Sequence, residues 1–184
     1  MTIWVLHQAL KPEEEERIHE RTHVVLPFGD VPDLSGLSSA EQCRKMFRTL
    51  YPDDAPETLT RRVDKLWPHY SGLQKEDIIA VPLKTSKRVA LAEVTGKYSY
   101  DGAGPDKHLM SVTWYPNLTA MRWFGTHKDL FVVRSERMFE VTLSEARIAI
   151  RDKLPHSYNR FAKWKWIAVV FFILAVINMI RKIG

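Results

Sequence analysis

The chain has 184 residues, with 27 Lys and Arg against 22 Asp and Glu and a formal net charge of +5. That length allows one domain of ordinary size and a short appendage. The basic excess is local: residues 151–184 hold seven basic side chains against one acid, which leaves the first 150 residues with 20 basic and 21 acidic groups. A near-neutral domain argues against long duplex DNA as ligand, because such affinity rests on many phosphate contacts.

In chain order, Thr2 to Gln8 is rich in β-formers and predicts a first strand. Pro12 and the acidic run Glu13 to Glu16 suit the first turn of a short helix. His23 onward predicts a second strand entering a turn at Pro27 to Asp30. Ser38, with Glu41 three residues later, has the pattern of a capping box for a helix that ends before Pro52. On it, Cys43 shares a stripe with Met46, Phe47 and Leu50, so the lone cysteine reads as a buried thiol, and no intramolecular disulfide is possible. A further helix carries Leu59, Val63, Leu66 and Trp67 on one face, with Asp54 as candidate cap and a stop expected between Pro68 and Gly72.

The centre is β-rich. Asp77 to Lys84 and Arg88 to Gly96 predict two strands joined by a polar loop, Lys97 to Asp101 a third segment after Gly96, and Leu109 to Pro116 a fourth strand. Met138 to Thr142 reads as a closing strand and Leu143 to Leu154 as a last helix. The expected fold class is α+β: a curved mixed β-sheet or small open barrel with flanking helices over residues 1–155, then a basic juxtamembrane segment and a transmembrane helix over 156–184.

The transmembrane expectation rests on fifteen consecutive uncharged residues, Trp166 to Ile180, bracketed by Lys163 and Lys165 before and Arg181 and Lys182 after. The run covers roughly 22 Å as a helix, and snorkelling cations extend its reach toward a hydrocarbon core of about 30 Å. Trp164 and Trp166 stand where an interfacial aromatic belt belongs, and Phe171 and Phe172 fill the apolar middle. Asn178 offers an interhelical hydrogen bond for homo-oligomerisation. Five cations precede the run and two follow it, so the positive-inside rule places the large domain in the cytoplasm of a single-pass, tail-anchored protein. The N-terminus lacks the basic start and apolar core of a secretion signal.

Enzyme motifs are absent from the sequence: no phosphate loop, no zinc-spaced Cys or His pairs, no Gly-x-Ser-x-Gly. Asp77, Glu93 and Lys97 lie around the central strands, but their spacing across Gly96 does not impose the shared carboxylate cluster that a metal-dependent nuclease needs. No catalytic residue, metal or cofactor is expected. Tyr98 and Tyr100 alternate on one strand and so point to one face, with Trp114 closing the next strand and Phe28 in the turn after the second. Such rings can stack a planar base. Lys84 and Thr85, with Lys87 and Arg88, gather positive charge in one hairpin loop able to meet a phosphate.

The segments "DLSGL", "DIIAVPLKTSKRVALAEVTGKYSYD" and "SVTWYP", in that order, resemble the PUA-like, EVE-related N-terminal domain of bacterial restriction-system proteins, where it precedes an Mrr-type nuclease domain. The resemblance runs from Trp4 to about Thr142. It implies a curved β-barrel with an aromatic-lined pocket for a flipped, often modified, base. Phe28, Tyr98, Tyr100 and Trp114 become pocket candidates, and Lys84 with Thr85 the loop that meets phosphate or backbone. Phe28 stands where that family's turn is expected to hold a tryptophan, and the anchor stands where the nuclease half would be.

Two classes of function follow. One is a sensor at the bacterial inner membrane that binds a nucleotide or a modified or foreign nucleic acid, in antiviral defence, with membrane lipid around its helix as tether or effector. The other is a tail-anchored scaffold that docks a protein and has no nucleotide ligand.

Overall fold

A computed structural model of the chain describes residues 1–132 and 137–155. By its internal contacts the chain divides into the units Met1–Ile150 and Arg151–Gly184, and the architecture below is that of the first. Among the described residues no helix is long and apolar enough to cross a membrane. The segment expected to do so, with Trp164, Trp166, Phe171, Phe172 and Asn178, lies outside the described residues.

The unit is a mixed α+β fold built on one open seven-stranded sheet. Its strands are β1 (Ile3–Leu6), β2 (His23–Val25), β3 (Ile78–Leu83), β4 (Arg88–Tyr100), β5 (His108–Trp114), β6 (Thr119–Ala120) and β7 (Met138–Glu140). The spatial order is β2-β5-β4-β3-β1-β7, with β6 pairing the start of β4. Among the described strands, only the β1–β3 pair is parallel. β6 takes up the β4 edge where β5 leaves it, Tyr115 donating its N–H to Leu91 between the two, so β5 and β6 act as one interrupted strand.

The sheet does not close through its backbone. Beyond β1, however, the Gln8 side chain donates to the Val25 carbonyl of edge strand β2 (3.2 Å). That bond draws two strands from opposite halves of the order together, as strong sheet curvature requires.

Gly96 does not end a strand, contrary to the expectation of a break there. β4 continues through it with a shift of register between Val94 and Tyr98. A Cβ at Gly96 would stand 2.7 Å from Ser111 Cβ, so only glycine allows the irregular stretch of β4 to press against β5. Because Val94 pairs Val112 and Tyr98 pairs Met110, the irregularity keeps Tyr98 on the face that already buries Ala90, Ala92 and Val94.

The helices are α1 (Pro12–Glu16), α2 (Ala40–Leu50), α3 (Pro56–Gly72) and α4 (Ser144–Arg151). A 3₁₀ segment, Met121–Phe131, kinks at Gly125 where the sequence had predicted no element. α2 is capped by Ser39, one residue later than expected, its side chain accepting from the Gln42 N–H (3.3 Å) while Gln42 Oε1 accepts from the Ser38 N–H (2.7 Å). Asp54 does not cap α3 but pairs with Arg62 (2.9 Å). α3 runs through Pro68 and ends at Gly72, within the stretch where its stop is expected. Both Pro68 and Asp64, whose carbonyl loses its donor, are exposed.

Among the described residues, two apolar clusters bear on the site. One fills the concave side of the sheet with Leu6, Val24, Ile79, Val81, Val94, Met110 and their neighbours. The other joins α2 to α3 through Cys43, Phe47, Leu59, Val63 and Leu66, together with Val31 and Leu34. Phe28 and Tyr98 pack against both clusters and therefore mark the seam between sheet and helices.

Candidate functional site

The rings singled out in the sequence separate into two groups. Phe28, Tyr98 and Tyr100 surround one side chain, His108, with ring centroids 5.4, 5.9 and 5.2 Å from the imidazole. Tyr100 and Phe28 meet it edge-on. Trp114 is not among them. Six residues along β5, it is 9% exposed, packs in the sheet core and donates its indole N–H to the Arg21 carbonyl (2.7 Å).

His108 is 1% exposed. Its Nε2 lies 2.9 Å from the Val31 carbonyl, which can only accept, so that nitrogen carries the proton. Nδ1 of the neutral ring then accepts from the Tyr98 hydroxyl (2.8 Å), whose oxygen accepts the Leu34 N–H (3.3 Å). Tyr70 donates to the Leu34 carbonyl (2.8 Å) and sets its ring edge against Tyr98. Burial holds His108 below the usual histidine range and pushes Tyr98 up to about 12, so donor and acceptor roles are fixed at neutral pH. A planar ring of the protein's own thus occupies the space between these aromatics, and its bonds pin the segment from Val31 to Leu34.

Lys84 and Thr85 are exposed in the β3–β4 hairpin. Two of the backbone N–H groups that such a loop could turn toward a phosphate are already engaged. Thr85 N–H lies 3.1 Å from both carboxylate oxygens of Glu15, and Ser86 N–H donates to one of them (3.2 Å). Glu15 is 4% exposed, the one buried member of the acidic run on α1.

Asp77 is also internal: its carboxylate accepts from the Thr2 N–H (2.6 Å), the Gln74 N–H (3.0 Å) and the Trp4 indole (3.2 Å), tying β1 to β3. Glu93 accepts from the Tyr115 hydroxyl (3.4 Å). Among the described residues no three His, Cys, Asp or Glu side chains are grouped to hold a metal ion.

Among the described residues, one open space lies at the seam. A cleft of about 290 Å³ is walled by Pro27, Phe28 and Val31 from the β2 turn, Phe47 from α2, Leu66 from α3 and Met138 from β7. Its polar side comes from α3 alone: Arg62, Lys65 and His69. Gly29 takes a left-handed φ of +68°, which turns the chain sharply after Phe28. Arg62 lies over the Tyr51 ring, 4.4 Å from its centroid, and donates from Nε to Asp54, leaving its terminal nitrogens available. His69 Nδ1 is 2.5 Å from the Lys65 carbonyl, which fixes that nitrogen as a donor and leaves Nε2 for other partners.

Of the expected site residues, Phe28 alone lines this cleft. Arg62, Lys65, His69 and the filled position of His108 were not read from the sequence, where the three α3 residues look like an ordinary solvated helix face.

A model of a protein family described as a domain of unknown function, DUF8426, matches residues 5–144. The chain belongs to that family. The match begins within β1 and reaches the first residue of α4, so the DUF8426 domain contains the sheet but for the first two residues of β1, the α2–α3 pair and the cleft between them. No curated protein matches the chain.

Proposed function

We propose that the DUF8426 domain recognises a small planar anion of the nucleotide class in the cleft between the β2 turn and α3. On this reading the whole chain is a membrane-tethered sensor. The observation that carries it is the union, in one cleft, of an aromatic wall at Phe28 with three nitrogen-bearing side chains on α3 and, among the described residues, no acidic lining residue. Ligand pockets are mostly apolar with a few placed polar groups, and the cleft lies near the small end of their usual range of about 300 to 1,000 Å³. The near-neutral charge of the first 150 residues favours a small ligand over a long duplex. The uncharged run Trp166 to Ile180 supports the tether, and the resemblance to restriction-system domains supports a place in bacterial antiviral defence.

A second reading, a protein-docking scaffold, draws on Trp123, which is 62% exposed on the 3₁₀ segment. Titration calorimetry of the full chain against mono-, cyclic and base-modified nucleotides and short DNA separates the two. The sensor reading expects saturable binding weakened by Phe28→Leu. Silence across the panel would leave the scaffold.

A further inference from the structure

Lys65 has no acid within reach along its own helix. The residues three and four positions away are Arg61, Arg62, Pro68 and His69. Arg62 is likewise flanked at those distances by Thr58, Leu59, Lys65 and Leu66, and its acidic partner, Asp54, comes from the turn before α3. Like charges at these spacings destabilise a helix, and a solvated face ordinarily relieves them with Glu or Asp one turn away. Here the cations are instead clustered, and the cluster opens onto the cleft.

We infer that Arg62, Lys65 and His69 form a phosphate subsite, so that the ligand is a phosphate ester whose apolar or aromatic portion lies along Phe28. This rests on the cleft being the binding site. The spacing puts all three on one helix face, at i, i+3 and i+7. Arg62 offers its terminal guanidinium nitrogens, Lys65 a compact ammonium, and His69 Nε2, since Nδ1 is tied to the backbone. A carboxylate brings one charge and two oxygens. A phosphate monoester brings nearly two charges and three terminal oxygens, which matches three nitrogen-bearing side chains lining one cleft. The Tyr51 ring, over which the guanidinium carbon lies, and Asp54, bonded to Nε, hold Arg62 in place and leave its terminal nitrogens to the ligand.

The test titrates the full chain with the four common nucleosides, their 5′-monophosphates, inorganic phosphate and a 5′-phosphorylated dinucleotide. At least one monophosphate is expected to bind about tenfold or more tighter than its nucleoside, the scale of one or two charge-assisted hydrogen bonds. Lys65→Gln, an exposed and helix-compatible change, should remove most of that monophosphate-over-nucleoside advantage. The dinucleotide separates a free nucleotide from a strand end as the source of the phosphate. Equal affinity for nucleoside and monophosphate, or a monophosphate advantage that survives Lys65→Gln, would overturn the subsite and leave the cleft reading standing. Failure of every probe to bind would overturn both.

Discussion

The Tyr98 hydroxyl donates to Nδ1 of His108 across 2.8 Å, while the other ring nitrogen holds the Val31 carbonyl. Tyr98→Phe would remove that donor and also the acceptor of the Leu34 N–H. Each buried polar group left unpaired costs about 1 to 3 kcal/mol, so the variant should lose roughly that much in urea denaturation. An unchanged midpoint would show that the bonds contribute nothing net.

The same pair predicts two pH limits. His108 is held below its ordinary pKa by burial, so the unfolded chain binds the extra proton first as pH falls. Its contribution is complete above the unfolded value of about 6.5 and is lost as pH drops through the lower folded value. Tyr98 behaves oppositely. With its pKa pushed up to about 12, its contribution is complete below the unfolded value and is lost as pH rises through the folded one. NMR titration of the His108 ring should give a midpoint under about 6.5, and a midpoint at or above that value would contradict the buried neutral assignment.

How far the sequence carried the fold depends on what kind of signal each feature left. Periodicity exposed the strands and the buried stripe of α2 and α3, because alternation and i, i+3, i+4 spacing are local. Gly96 looked like a strand end, since its role depends on Ser111 of the neighbouring strand, 15 residues away. The stretch Pro68 to Gly72 read correctly as the end of α3, which stops at Gly72 with Pro68 inside its last turns. The site was less legible still. Tyr98 and Tyr100 were placed correctly on one face, yet nothing local said that His108 would fill the space between them. Likewise the Lys84–Thr85 loop showed its charge in the sequence, whereas the carboxylate that occupies its amides arrives from Glu15, 70 residues earlier.

Gly96→Ala should destabilise the domain by about 1 to 3 kcal/mol, the usual cost of overpacking. Adding Ser111→Gly removes the atom that the new Cβ would strike. The double variant should therefore recover part of the loss, beyond the sum of the single changes. Additive behaviour would show that the two positions do not press together.

Glu15→Ala should cost about 1.5 to 3 kcal/mol, because it removes a charged acceptor from the Thr85 and Ser86 amides. Hydrogen exchange at those two amides reads the effect locally. Faster exchange there is expected, and unchanged protection would exclude the Glu15 contact.

The location of the ligand is the claim on which the functional account stands. Photoaffinity labelling of the full chain with azido-substituted nucleoside monophosphates, followed by peptide mapping, addresses it directly. The account predicts saturable labelling confined to peptides that contain Pro27 to Val31 or Arg62 to His69, competed by the unmodified nucleotide. Labelling confined to the Lys84–Arg88 hairpin or to Trp114, or labelling that no nucleotide competes, would contradict it.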